Sequence, residues 1–278
     1  MMYKIIEKYS LAPQIEYARI KAPMISKNAE PGQFLIVVAC EKSERIPLTI
    51  ADFDREEESV SIVFQKMGKG THKIADFKAG DSFHAVLGPQ GNPTEIEGEK
   101  HIVMIGGGIG VAPVYPIARK FHENGVHVTS IIGYRGKDFL FWDDKLKAVS
   151  DEMIITTNDG SVGHKGFVTD VLKQMIEDKK PIDRVIAIGP PIMMKAVADV
   201  TRPHGIATTV SLNSLMVCGM GMCGACRVTV GGETKFTCMD GPEFDAHKVD
   251  FEELMQRLGM YKSEEKDMLD EYQGEDNE

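Results

Sequence analysis

The sequence predicts an α/β plus β-barrel chain: an N-terminal antiparallel barrel of six strands, a parallel nucleotide-binding sheet, and a small cysteine-rich segment at the C-terminus. Three observations predict it. Short β-branched or alternating runs occupy residues 3–9, 15–21, 33–40, 45–50, 59–65 and 82–87, and strands at that spacing with polar turns between them suit a small antiparallel barrel. From residue 102 the pattern becomes strand alternating with helix, which favours a parallel sheet. Four of the five cysteines then crowd into residues 218–238.

Composition sets the outer limits. With 278 residues, the chain has room for two or three modest cores. The expected divisions are a barrel domain at 1–97, a parallel domain at 98–212, a cysteine segment at 213–262 and an acidic tail at 263–278. A net charge of −10 argues against nucleic acid, which needs clustered Lys and Arg. The first thirty residues carry Lys4, Glu7, Lys8, Glu16 and Arg19 with no apolar core of signal-peptide length, and no apolar run is long enough for a bilayer. The expectation is a cytoplasmic protein with no membrane contact, whose thiols stay reduced and open to metal.

Two segments of the barrel look chemical. Arg45-Ile46-Pro47-Leu48-Thr49-Ile50 sets a cation, a rigid proline and a hydroxyl on one strand. Gly68-Lys69-Gly70-Thr71 opens a short helical stretch, His72 to Phe77. Helix-end N–H groups and the Thr71 hydroxyl suit a phosphate there, and Arg45 would neutralise the same pyrophosphate. The plainer alternatives are an edge strand, with Pro47 where no donor is needed, and a turn leading into a capped helix. Cys40, closing the apolar run from Phe34, is expected to be a buried thiol.

Leu87-Gly88-Pro89-Gln90-Gly91-Asn92-Pro93 marks the boundary. Beyond it, the apolar strand Ile102–Ile105 enters Gly106-Gly107-Gly108-Ile109-Gly110-Val111-Ala112-Pro113 and a helix to about Asn124. Strand, glycine turn and helix put N–H groups at the carboxyl edge of the sheet, where dinucleotides bind. Pro113 suits a first helical turn. The match to a dinucleotide fingerprint is partial: Val111 stands where G-x-G-x-x-G needs its last glycine, and strand Val126–Ile132 ends in Gly133-Tyr134-Arg135 with no acid for the ribose. NAD and NADP are not separated by it, and Arg135 leaves a 2′-phosphate contact open. Strand 153–157, helix 167–178, strand 185–188 and helix 192–200 follow, the last after Gly189-Pro190-Pro191. Met193 and Met194 there form either an apolar wall for a nicotinamide or part of the core.

The strand Thr208–Leu212 leads into the cysteine loop. Cys218, Cys223, Cys226 and Cys238 follow C-x4-C-x2-C-x11-C, the order of plant-type ligands to a 2Fe-2S cluster. A structural zinc site is the alternative, although zinc more often takes two close cysteine pairs. Hairpin strands Arg227–Val230 and Glu233–Thr237, turning at Gly231-Gly232, return Cys238 to the loop. Val249–Leu258 is expected to be helical, and the acidic tail from Ser263 mobile and solvated.

Assembled, these residues resemble the ferredoxin-reductase-like flavoproteins, and more narrowly the electron-transfer subunits that carry FAD and a C-terminal 2Fe-2S cluster. Arg45, Pro47, Leu48 and Thr49 match that family's first flavin motif, and Gly68, Gly70 and Thr71 its second. Gly106 to Pro113 matches the nucleotide motif, and Gly189-Pro190 with Met193-Met194 the segment near the nicotinamide. Two subfamilies are similar: the electron-transfer subunit of dihydroorotate dehydrogenase, and the small subunit of bifurcating NADH-dependent reduced ferredoxin:NADP oxidoreductase. The wording from Val217 to Arg227 and from Met239 to His247 resembles the second more closely. That resemblance implies NADH as hydride donor, FAD held by Arg45, Thr49, Gly70 and Thr71, and an all-thiolate cluster. Thr49 would sit near flavin N5. It also implies a heterodimer with a larger flavin and iron-sulfur subunit resembling the small subunit of glutamate synthase, on which ferredoxin would dock. A zinc-stapled dinucleotide sensor and a self-sufficient reductase remain as alternatives of other kinds.

Overall fold

A computed structural model describes residues 3–275. The N-terminal sheet comprises β1 (Tyr3–Ala12), β2 (Ile15–Lys21), helix α1 (Pro23–Asn28), β3 (Phe34–Val38), β4 (Arg45–Asp54), β5 (Ser59–Gln65), helix α2 (Lys69–Asp76), β6 (Ser82–Phe83) and β7 (Ala85–Gln90). The strands run in the order β6-β1-β2-β5-β4-β3-β7, and each pairing is antiparallel. The single run expected at 82–87 is thus two strands on opposite edges: β6 pairs with β1 and β7 with β3. His84 alone separates them, so the chain itself draws the edges together into a nearly closed barrel. A period-two pattern shows an extended chain but not where it changes partner. Inside, Ile5, Ile20, Leu35, Ile62, Phe64 and Phe83 are at most 2% exposed, and each contributes about 2 kcal/mol by leaving water.

Cys40 corrects an expectation. Strand β3 stops at Val38, and Cys40 lies exposed in the turn before β4, its N–H donating to Ser43 Oγ at 3.1 Å. The apolar run outlasts the strand.

The second sheet follows from β8 (His101–Gly107), α3 (Val111–Glu123), β9 (His127–Tyr134), α4 (Asp143–Lys147), β10 (Glu152–Thr157), β11 (His164–Lys165), α5 (Val168–Glu177), β12 (Arg184–Ile188), α6 (Pro191–Thr201) and β13 (Ala207–Ser211). The C-terminal part adds β14 (Arg227–Val230), β15 (Glu233–Phe236), α7 (Thr237–Asp240), β16 (Glu243–Asp245), α8 (Phe251–Leu258) and α9 (Lys262–Glu275). The order is β11-β10-β9-β8-β12-β13-β16, parallel from β11 to β13. Strand β16 was not expected: three residues of the cysteine segment pair antiparallel with β13, Val210 opposite Phe244. A run so short carries no periodicity to read.

Each face of this sheet has its own core. On one, Val114, Ile117 and Phe121 of α3 pack with Ile15, Tyr17 and Val63 from the outside of the barrel, so barrel and sheet share a core. Arg119 adds an ion pair to Asp52 of β4 at 2.9 Å. On the other face, α5 and α6 pack with Val228, Phe244, Phe251 and Leu254 of the cysteine segment.

The expected mobile tail is a helix over its described part. Most of its residues are strong helix formers, Glu264 and Glu265 sit in the first turn where the helix dipole favours acid, and Tyr272 OH donates to Asp76 Oδ2 of α2 at 2.6 Å. Residues 276–278 lie outside the described residues. Acidic composition misled here because most helix formers in the segment are charged.

His101, at the start of β8, is buried with Nε2 2.9 Å from Thr129 Oγ1 and its ring 4.4 Å from that of His127. Burial, reinforced by His127, holds its pKa below the usual 6.5. The unfolded chain therefore takes up this proton first as pH falls. The contribution of His101 is present in full above about pH 6.5 and drains away as pH drops below it toward the folded-state value. Denaturant titrations at about pH 7 and about pH 5 should show wild-type losing more stability than His101→Gln, and equal losses would contradict this.

Candidate functional site

Arg45, Pro47 and Thr49 alternate along β4 opposite to Leu48, which is 9% exposed and belongs to the barrel core. Leu48 therefore offers the site only its backbone. Across β3, Ile36 faces Pro47 and Phe34 faces Thr49, and Phe34 and Ile36 pack with Met216, Cys226 and Cys238. The outer face of the β3–β4 pair thus carries the first expected flavin motif and covers the cysteine loop as well. Arg45 joins the two directly: Nε donates to Val217 O at 3.0 Å and Nη2 to Cys218 O at 3.2 Å. A guanidinium has more N–H donors than these bonds use, so an anion contact remains open to it.

Gly68 caps α2, with open space before it. Thr71 Oγ1 accepts from Met67 N at 2.9 Å and Gly68 N at 3.1 Å and donates to Gly68 O at 2.9 Å, so this hydroxyl shapes the turn. Gly70 is buried against the start of β4, where a Cβ would come within 2.6 Å of Ile46 Cδ1 and strike the Glu44 carboxylate.

At the carboxyl edge of the parallel sheet, two turns interlock. Gly106 and Gly107 end β8, a tight turn at Gly108–Gly110 follows, and α3 begins with Pro113 buried in its first turn. A Cβ on Gly110 would stand 2.6 Å from Ile188 C of β12, with the carbonyl oxygen nearer still. A Cβ on Gly107 would meet Met193 and, at 3.3 Å, Pro190 Cδ, while one on Gly189 would lie 2.8 Å from Met193 Cε. The structure brings Gly107, Gly110, Gly189, Pro190 and Met193 together where the two turns meet. Met194, 1% exposed, belongs to the core.

The thiols meet as two pairs. Cys226 Sγ and Cys238 Sγ are 3.3 Å apart in the interior, and Cys218 Sγ accepts Cys223 N at 3.4 Å near the tip of the loop. Thiols in two pairs match a two-iron core. Backbone donors point at sulfur: Met220 N at 3.5 Å on Cys218, Gly221 N at 3.2 Å on Cys238 and Ala225 N at 3.4 Å on Cys223. The Met220 N–H first, and the Cys223 N–H with it, lower the Cys218 thiol to about 6. Burial pushes the Cys238 thiol up to about 12. The N–H groups favour the thiolate that a cluster requires, and at Cys238 burial outweighs them. Gly219, at φ +72°, allows this approach, since a Cβ there would lie 2.6 Å from Ile36 Cγ1. Sequence reasoning missed Phe34, Ile36 and Met216, because strand register across β3 and β4 is not written in either strand.

Known families match the same two regions of the chain. The family described as the iron-sulfur cluster binding domain of dihydroorotate dehydrogenase B matches residues 213–250, and the oxidoreductase NAD-binding domain matches residues 104–199. The dihydroorotate dehydrogenase B (NAD(+)) electron transfer subunit homolog of Thermotoga maritima is 45% identical over 263 residues, 95% of this chain and 93% of that protein. The corresponding subunit of Fusobacterium nucleatum is 33% identical over 88% of this chain and 96% of its own. A solved chain from work on flavin-based electron bifurcation by the NADH-dependent reduced ferredoxin-NADP oxidoreductase superposes with a TM-score of 0.92 at 43% identity, covering 98% of each chain.

Proposed function

The chain belongs to the electron-transfer-subunit family of dihydroorotate dehydrogenase B, and from that premise we propose that it serves a bifurcating NADH-dependent reduced ferredoxin:NADP oxidoreductase, between NADH and a larger flavin and iron-sulfur partner. The observation that carries this is the shared outer face of β3 and β4, with Arg45 bonded to the carbonyls of Val217 and Cys218. Flavin motif and cysteine loop touch, so electrons need cross no intervening protein layer.

FAD, when bound, supplies the conversion from a two-electron donor to a one-electron cluster. Pro47, Thr49 and the Gly68–Thr71 turn would hold it, with Arg45 balancing its pyrophosphate. The Gly106–Gly110 edge would hold the dinucleotide, and Met193 over Gly107 would give the nicotinamide an apolar neighbour. Cys218, Cys223, Cys226 and Cys238 would ligate the cluster. Val217, Met222 and Met239 around that loop are 53%, 82% and 53% exposed, which supports a covering partner. We place the glutamate-synthase-like subunit there, with ferredoxin docking on that subunit.

Purification without oxygen together with the native partner tests the reading. Visible bands that bleach on adding NADH, and a large partner carrying further flavin and iron, are expected. A colourless zinc protein would refute it. The names of the relatives favour a second reading, and a partner that oxidises dihydroorotate would establish that one. Arg45→Ala is expected to lose flavin and cluster together on dialysis, since removing charged hydrogen bonds costs about 2 kcal/mol. Full retention of both would exclude the bridging role.

A further inference from the structure

In a dinucleotide fold, an acid at the tip of the strand after the glycine turn holds the adenosine ribose. Here that strand, β9, ends Gly133-Tyr134 and runs on into Arg135-Gly136, without an acid. The loop after β10 crosses to the same tip. Asn158 N donates to Tyr134 O at 3.1 Å, Asp159 N to Arg135 O at 3.3 Å, and Lys137 N to Ser161 Oγ at 2.8 Å. Asp159 comes to lie over Gly136, where a Cβ would stand 3.1 Å from its Cγ with Oδ2 nearer. Oδ1 accepts from Ser161 N at 2.9 Å and Ser161 Oγ at 2.6 Å. The side chain is exposed, and these bonds hold its carboxyl below the usual range.

We propose that Asp159 replaces the acid missing from β9 and selects NAD(H) over NADP(H), its carboxylate accepting from the ribose hydroxyls and repelling a 2′-phosphate. The assignment rests on the dinucleotide reading of the Gly106–Gly110 edge. Glycine at position 136 belongs to the same device, because a side chain there would push the carboxylate away. Arg135 opposes it from the same tip, and the Lys165 side chain packs beside Gly160, so cations that would welcome a 2′-phosphate are close by. Asp159 differs from them in being fixed by its bonds to Ser161, and a fixed like charge is an effective device for rejecting a ligand.

Calorimetric titration of the flavin- and cluster-loaded protein with ADP-ribose and with 2′-phospho-ADP-ribose tests this without turnover. Wild-type is expected to prefer ADP-ribose by about tenfold or more, and Asp159→Asn to erase most of that preference, roughly the effect of one charged hydrogen bond. Should Asp159→Asn melt below wild-type, Asp159→Ser serves in its place. Binding of both compounds with an unchanged ratio in the variant, or a wild-type preference for the 2′-phosphate, overturns the assignment and leaves the dinucleotide edge standing. If neither compound binds, the dinucleotide reading falls and the assignment falls with it.

Discussion

Cys226→Ser is expected to leave the chain with almost no iron, against about two per chain in the wild-type. Cys226 is 2% exposed and lies 3.3 Å from Cys238, so no other cysteine can take its place. A serine hydroxyl stays protonated where a thiol ionises and is a poor ligand for iron. The loss should spread beyond colour. Cys226 and Cys238 pack with Phe34, Ile36 and Met216, so an empty loop loosens the outer face of β3. Binding energy that stabilises only the folded chain is lost too, and the melting temperature should fall. Iron and sulfide assays with a visible spectrum measure the first effect and thermal unfolding the second. Cys40→Ser is the control: Cys40 is exposed in a turn outside this cluster and should change neither. A Cys226→Ser protein with full iron would remove Cys226 from the ligand set.

Gly110→Ala is expected to destabilise the chain by about 3 kcal/mol or more and to weaken ADP-ribose binding in parallel. The dihedral is not the obstacle, since the φ of −62° at Gly110 suits any residue. The new methyl would press on the Ile188 peptide, 2.6 Å from its carbonyl carbon. That peptide ends β12, a central strand of the sheet, and no rotamer change moves it aside. Gly108→Ala provides the contrast. It has φ +55° with nothing near its Cβ position, so it should cost only about 1 kcal/mol of backbone strain. Denaturant melts of the two variants decide the point, and equal costs would show that crowding between the two turns is not what requires glycine at 110.

What the sequence disclosed follows from how each signal is written. The cysteine spacing and the strand-turn-helix at Gly106 are local, and both appear in the structure near their expected limits. Barrel strands were legible as extended runs, yet 82–87 divides at His84 because partner choice is not local. Leu48 and Met194 sat inside recognisable motifs and proved to be core residues, since a motif names positions and only packing says which way each side chain goes. The bond from Arg45 to Val217 spans 172 residues, and no pattern along the chain could have announced it. Asp159 was hidden for a similar reason: the strand after the glycine turn is β9, whereas this carboxylate arrives from the loop after β10.

The pairing of β16 with β13 reaches further than its three residues. A strand from the cysteine segment forms the border of the parallel sheet, so a chain cut after Leu212 would leave β13 with a bare row of N–H and C=O groups. Uncovered borders of that kind recruit other chains. The cysteine segment therefore acts as a guard against self-association as well as a holder of metal, and the nucleotide sheet cannot be borrowed as a free-standing module without a replacement for that border.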